Sequence, residues 1–436
     1  MKYFSLSTLF LFVSLTLYSQ TYKVVVEKSD SGMKLLVDGK DLMINGMNWD
    51  YVPIGTNYAY SLWKQSDELI RAALEAEMSL LKNMGVNTIR VYTGMQPKWI
   101  TYVYETYGIY TMLNHTFGRY GLTINGVWTP VTEYDDPKTR NLLLSEVTAM
   151  SKEYKDTPGL LLFLLGNENN YGLFWAGAET EDFPEEDEKK KIIGERLGRP
   201  MYKLMNDAAI IMKSINNNLP VAICNGDLLF VEIIAEECTD VDIYGTNMYR
   251  GKSFTDAFER VKKELNMPIL FTEFGADAFN VKSNKEDQEM QAFYLLENWK
   301  EIYQNAAGIG KSGNAIGGFT FQFSDGWWKY GQTKNLDIHD NNASWFNRGY
   351  NLDIAGSNNN MNEEWFGICD KGPTNLKGLY TLYPRAAYFA LQEVHQLNPF
   401  LKEMNLTIIS EHFKKIRLKK HVLKAKEHNK SLLKDE

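Results

Sequence analysis

Eight short apolar runs, each separated from the next by a longer stretch, limit what this chain can become. They fall at residues 41–48, 86–92, 108–114, 159–165, 221–224, 241–244, 268–272 and 315–322. Runs of this length bounded by Gly, Pro and Asn read as strands. The intervening segments 67–84, 139–154, 200–215, 253–265 and 287–304 carry apolar residues at three- and four-residue spacing, as one-sided helices do. The first of these stops before Gly85, a natural helix terminator. Strand–helix alternation implies a mostly parallel sheet, and eight repeats over about 350 residues predict a closed (β/α)8 TIM barrel as one catalytic domain. The rival open doubly wound sheet calls for a glycine-rich phosphate loop after an early strand, and the sequence has none.

The flanking segments read differently. Residues 1–20 combine Lys2, an apolar run from Phe4 to Leu17 and the polar pair Ser19-Gln20, the pattern of a cleavable signal peptide. A secreted or periplasmic protein is therefore expected. No integral membrane segment is expected in the mature chain, because no second long apolar run follows. Residues 21–40 suggest a short β-hairpin turned at Ser29-Asp-Ser-Gly32 and placed under the barrel floor, and the barrel itself is assigned to 41–400. A basic C-terminal tail occupies 401–436, with nine Lys or Arg between Lys414 and Lys434, and is expected as a solvated helical or frayed segment. An Asn- and Gly-rich loop spans about 324–376, long enough to form a lid or binding wall.

Composition excludes several function classes. Net charge is −8, which disfavours nucleic acid as a partner. Three cysteines, Cys224, Cys238 and Cys369, allow at most one disulfide, and no cysteine or histidine spacing suits a structural zinc. No metal or other cofactor is expected. A Schiff-base lysine or a His/Asp metal cluster at strand ends, as a lyase or aldolase would need, is not seen.

Barrel enzymes carry their chemistry where strands end at the C-terminal rim. Strand four closes in Gly166-Asn167-Glu168-Asn169-Asn170, and strand seven in Thr272-Glu273-Phe274-Gly275-Ala276-Asp277. Both glutamates follow hydrophobic runs, so partial desolvation is expected to favour the protonated form that a proton donor needs. Two such carboxyls facing one cleft suit glycosidic cleavage, which in the retaining geometry places them about 5–5.5 Å apart.

The strand-four Asn-Glu and the strand-seven Glu resemble the signature of the clan A glycoside hydrolases. Thr88-Ile-Arg-Val-Tyr92, Leu165-Gly-Asn-Glu168, Val241-Asp-Ile-Tyr-Gly-Thr-Asn-Met-Tyr249 and Pro268-Ile-Leu-Phe-Thr-Glu-Phe-Gly275 resemble the β-1,3-glucanosyltransferases of glycoside hydrolase family 72. Val37-Asp-Gly-Lys40, Asn45-Gly-Met-Asn48 and Thr272-Glu-Phe-Gly-Ala-Asp277 equally resemble the catalytic barrel of family 2. The chain departs from both: it lacks the cysteine content of the first, and the β-sandwich domains that precede the barrel in the second are not expected here. A bacterial-type secreted glucanase relative fits the pattern better.

The resemblance implies Glu168 as acid/base and Glu273 as nucleophile, acting on a poly- or oligosaccharide, with a β-glucan and 1,3 linkages favoured. It further implies that Asn167 meets the sugar 2-hydroxyl, that Tyr249 donates to Glu273 and that Arg90 supports the nucleophile by its charge. From the residues themselves, Trp327 and Trp328 after strand eight are candidates for a stacking floor, and Trp49, Tyr92, Trp175 and Trp365 for its extension. His115, Asp50 and Asp325 stand near strand ends and are candidates for hydroxyl contacts. The alternatives are a β-glucan transglycosylase, which shares the chemistry, and a non-catalytic glycan-binding barrel.

Overall fold

A computed structural model describes residues 23–92, 94–173 and 186–435. The expected signal peptide and Trp175 lie outside these residues. Eight parallel strands close into a barrel: β1 (Ile44–Asn48), β2 (Thr88–Val91), β3 (Tyr110–His115), β4 (Leu160–Leu165), β5 (Val221–Gly226), β6 (Ile243–Asn247), β7 (Ile269–Phe274) and β8 (Ala315–Thr320). Closure comes from β8 pairing with β1, Gly318 opposite Asn45 and Thr320 opposite Met47. The expected TIM barrel is the observed fold.

Each strand leads to a helix packed outside it: α1 (Asp67–Met84), α2 (Pro97–Tyr107), α3 (Pro137–Glu153), α4 (Arg199–Ile215), α5 (Val231–Glu237), α6 (Ala257–Arg260, prolonged by a π turn to Leu265), α7 (Gln288–Gln304) and α8 (Ala386–Val394). α1 starts with the Ser66 hydroxyl accepting from Leu69 N and stops at Gly85, whose φ of 87° is open to glycine at little cost. Three helices, α2, α5 and α8, were not foreseen. α5 is only seven residues long, and α8 is buried along most of its length and so lacks the polar face that marks a helix in sequence. All six residues of β4 are buried, as expected of a strand covered by side chains inside and helices outside.

Strands Val24–Ser29 and Gly32–Val37 form the hairpin, joined by a third short strand, Lys40–Leu42. It lies under the barrel, with Val24 N donating to Asn218 O and Met33 N to Gly313 O, both just ahead of barrel strands. The C-terminal stretch is more ordered than a frayed tail. Helices Leu406–Lys415 and Leu418–Asp435 dock on the barrel's outer layer, burying Ile409, Phe413, His421 and Ala425. His412 Nε2 stands 2.8 Å from Glu393 O, and Asn429 donates to Pro384 O. The apolar period of these helices, masked in sequence by dense lysine, is what fastens them. All three cysteines are buried free thiols. Among the described residues, no helix is long and apolar enough to cross a membrane.

Candidate active site

At the C-terminal rim the inward-pointing strand ends are polar: Asn48, Arg90, Asn114, Asn247 and Glu273 are all buried. Arg90 is the centre of this ring. Its Nη1 donates to Glu273 Oε1 at 2.7 Å and to Thr272 O at 3.1 Å, and its Nη2 donates to Asn114 Oδ1 and Asn167 Oδ1, each at 2.7 Å. Asn247 joins through Nδ2 to Asn167 Oδ1 at 3.1 Å and accepts from Thr272 Oγ1 at 2.8 Å. A guanidinium with no solvent contact is tolerable because each side of its donor fork meets an acceptor.

Glu273 ends β7 and receives three donors. Beyond Arg90, the Tyr92 hydroxyl donates to Oε1 at 2.9 Å and the Tyr249 hydroxyl to Oε2 at 3.1 Å. Three donors aimed at two oxygens suit a carboxylate, an acceptor-only group. Tyr92, expected as a stacking face, instead points its hydroxyl at Glu273, with the Arg90 guanidinium 4.9 Å from its ring centre.

Glu168 sits past the end of β4 with φ 56°, a left-handed conformation that costs a side-chain-bearing residue energy. Glu168 N donates to Cys224 O at 3.0 Å, which holds the turn against β5. Burial raises the pKa of its carboxyl to about 7, and the nearby Glu273 charge adds to this against Arg119 and Arg90. The two glutamates of one mouth therefore differ: Glu273 is met by three donors, whereas at Glu168 burial and the Glu273 charge outweigh Arg119, Asn247 and Arg90. Asn167 is fixed between them, its oxygen accepting from Arg90 and Asn247 and its nitrogen donating to the Tyr120 hydroxyl at 2.8 Å.

Two candidates are not part of this arrangement. Trp49 is buried, and its indole N–H donates to Glu77 Oε2 on α1 at 2.6 Å. His115 lies 3.4 Å from Glu146 on α3, while its Nδ1 accepts from Phe117 N. Each follows an inward-pointing asparagine, Asn48 and Asn114, so strand alternation turns it toward the helix layer. Neither faces the mouth.

The aromatic residues after β8 are also partly engaged. Trp327 stacks on His339 at 4.7 Å, and His339 on Trp365 at 3.8 Å, a three-ring pile. Trp328 meets Tyr58 edge-on and carries the Lys329 ammonium 4.7 Å from its ring centre. Asp325 is fully buried and held by both Arg385 terminal nitrogens at 2.7 Å, so it is closed to a sugar. Ligand atoms of Asp325, His339 and Asp370 lie within 4.8 Å of one another, yet Arg385 already supplies the positive charge that a metal would bring.

Sequence reasoning did not single out Tyr120, Asn48, Asn114, Asn247 or Lys329. The asparagines share one signal, a polar residue closing an apolar strand. Tyr120 had none, being placed by the chain's path after β3. Beside it a two-stranded hairpin, Leu122–Ile124 with Val127–Thr129, exposes Trp128. Such a ring suits the apolar face of a pyranose.

No protein-family model matches the chain, and no curated protein matches it. Solved structures share the fold. The family 2 β-galacturonidase of Eisenbergiella tayi bound to galacturonate superposes with a TM-score of 0.53 at 16% identity, over 86% of this chain and 55% of that one. The β-glucuronidase 2 of Bacteroides uniformis, covalently bound to cyclophellitol-6-carboxylate aziridine, gives 0.52 at 14%, over 87% and 38%. The β-D-glucuronidase of Dictyoglomus thermophilum gives 0.50 at 15%, over 88% and 55%. This chain thus spans about half or less of each neighbour's length. At these identities the likeness carries the barrel fold. The neighbours are family 2 and β-glucuronidase barrels by name, and nothing in them points to family 72 or to β-1,3-glucan.

Proposed function

We propose that this chain is a retaining β-glycoside hydrolase in which Glu273 is the nucleophile and Glu168 the acid/base. One observation carries the reading: the two mouth glutamates occupy different environments, Glu273 under three donors and Glu168 desolvated with a pKa of about 7. That is the division of labour double displacement needs. Glu273 attacks the anomeric carbon as the C–O bond to the leaving group breaks, and Glu168 gives its proton to the departing oxygen. Glu168 then takes a proton from water, which attacks the anomeric carbon and frees Glu273. Asn167, with one amide N–H not engaged by Tyr120, is the group we assign to the sugar 2-hydroxyl, a contact that strengthens as the ring flattens.

The neighbours, named as β-galacturonidase and β-glucuronidases, support a carbohydrate substrate. Among neutral polymers a β-glucan with 1,3 linkages follows from the strand-six and strand-seven motifs; uronides are the first charged substrates to try. Residues 1–20 support action outside the cytoplasm, and removal of an N-terminal segment from exported protein is the check. The reading as a whole is tested by following anomeric configuration with proton NMR during hydrolysis of an aryl β-glycoside. The β-anomer of the product must appear first. An α-anomer first product, or normal rates in both E273Q and E168A, excludes it.

A further inference from the structure

The barrel mouth holds a cation that the double displacement leaves unused. Lys329 lies in the turn after β8, its backbone N–H bonded to Gly326 O, and its side chain is 19% exposed. The ammonium rests 4.7 Å from the Trp328 ring centre and 5.1 Å from that of Phe321. Phe321 in turn meets Tyr249 edge-on at 6.5 Å, and the Tyr249 hydroxyl holds Glu273. Lys329 therefore stands one ring away from the nucleophile's support. The nearest carboxylate is Glu363, at 3.9 Å, too far for a hydrogen bond; its other oxygen accepts from Trp345 Nε1. Burial works against the charge on Lys329, but Glu363, Glu273, Tyr120 and Asp50 outweigh it, so the group is a cation at neutral pH.

Two donors beside Lys329 are idle. Gln322 Nε2 and Trp328 Nε1 are buried and have no acceptor among the described residues. Gly326 lets this group close up: a Cβ there would lie 2.8 Å from Lys329 Cγ and 3.0 Å from Gln322 Nε2. A buried donor without an acceptor has given up its bond to water and gained none in return. Two neighbouring donors lacking acceptors, beside a cation whose ion pair with Glu363 is long at 3.9 Å, call for an anion.

We infer that Lys329, with Gln322 and Trp328, forms a subsite for the negatively charged substituent of a sugar bound at Glu168 and Glu273, so that the preferred glycan is acidic. A carboxylate or a sulfate would supply the missing acceptors, and an ammonium on a flexible stem can follow either. A neutral sugar would leave the donors unpaired, which is how a polar site rejects a ligand lacking its partner group. This inference rests on the glycosidase reading for the placement of the sugar.

The test is calorimetric titration of the full-length E168Q protein with methyl β-glucuronide, methyl β-galacturonide, methyl β-glucoside 6-sulfate and methyl β-glucoside. At least one acidic ligand should bind at least tenfold tighter than the neutral one. The two uronides against the sulfate show which anion the subsite takes. Adding K329M should erase the preference, and K329R should retain part of it. Equal binding of acidic and neutral ligands before any change at Lys329 overturns the inference, as does an intact preference in a K329M protein whose melting curve is unchanged. Turnover of aryl glycosides by the unmutated chain is read separately. Acid-selective binding without any turnover removes the enzyme reading and leaves the anion subsite standing.

Discussion

Arg90 Nη1 and Glu273 Oε1 stand 2.7 Å apart with the guanidinium wholly out of solvent, so the two form a buried ion pair. Removing one partner of such a pair leaves an uncompensated buried charge, which costs about 3–5 kcal/mol. R90M should therefore lower unfolding free energy by that amount, measured by urea denaturation at pH 7. The double variant R90M/E273Q should recover part of the loss. A double variant as unstable as R90M alone would show that the guanidinium acts through its asparagine partners instead.

The two glutamates should fail in different ways. E273Q removes the group that bonds to the sugar, and turnover of every substrate should fall by about 10⁴-fold or more. E168A should lose about 10²–10⁴-fold on substrates with poor leaving groups. It should lose far less on dinitrophenyl glycosides, whose departing oxygen needs no proton, and added azide should give a β-glycosyl azide. Equal losses of E168A on both substrate types would contradict the acid role.

The pKa of about 7 at Glu168 fixes a pH dependence with a definite sign. The proton donor must hold its proton, so kcat/KM on a poor-leaving-group substrate should decline as pH rises through about 7. Because burial and then the Glu273 charge push this value up, E273Q should move the Glu168 titration to lower pH, visible by carbon NMR of the labelled carboxyl. The same shift acts on stability. A carboxyl whose folded pKa exceeds its unfolded value favours the folded state fully below about 4.5, and that favour is lost as pH rises toward 7. E168Q should thus stabilise the protein by about 3 kcal/mol at pH 8 relative to its effect at pH 4. Melting temperatures at the two pH values decide this.

Tyr249 and Tyr92 each donate one hydrogen bond to Glu273. A bond to a charged group contributes about 1.5–3 kcal/mol. Y249F and Y92F should each lower kcat/KM by roughly 10- to 150-fold, with folding unaffected. A drop confined to KM would make them sugar contacts rather than supports of the nucleophile.

Treatment with a chelator should leave the melting temperature unchanged, because Arg385 already neutralises Asp325 in the one cluster among the described residues that resembles a metal site. D325N should instead destabilise by about 3–5 kcal/mol, through the charge left on Arg385. A chelator-induced drop in melting temperature would argue for a bound cation.

The eight strands were legible because each is a run of apolar residues closed by a polar one. The same break in pattern brought Asn167, Glu168 and Glu273 to notice, and the structure gathers them with Arg90 and Tyr249 around one mouth. Alternation along a strand was the unused signal. Counting by twos from Asn48 and Asn114 sends Trp49 and His115 behind the barrel, toward Glu77 and Glu146. Residues on connections were beyond reach, since Tyr120 and Lys329 are placed by backbone paths that no local period encodes. The C-terminal helices hid for a related reason: their anchors, Ile409, Phe413 and Ala425, are spaced among lysines that dominate the composition.

Side chains from β2, β3, β6 and β7, together with Asn167 just beyond β4, are stitched together through Arg90, and Asn48 on β1 donates to Thr272 O across the same opening. The rim is thereby laced like a drawstring that is already tight, so it has little freedom to widen for a bulkier sugar. Adaptation to new glycans must then be carried by the surrounding connections, above all the long segment bearing Trp328, Lys329, Trp345 and Glu363. Lineages of this barrel should vary there while keeping the knot.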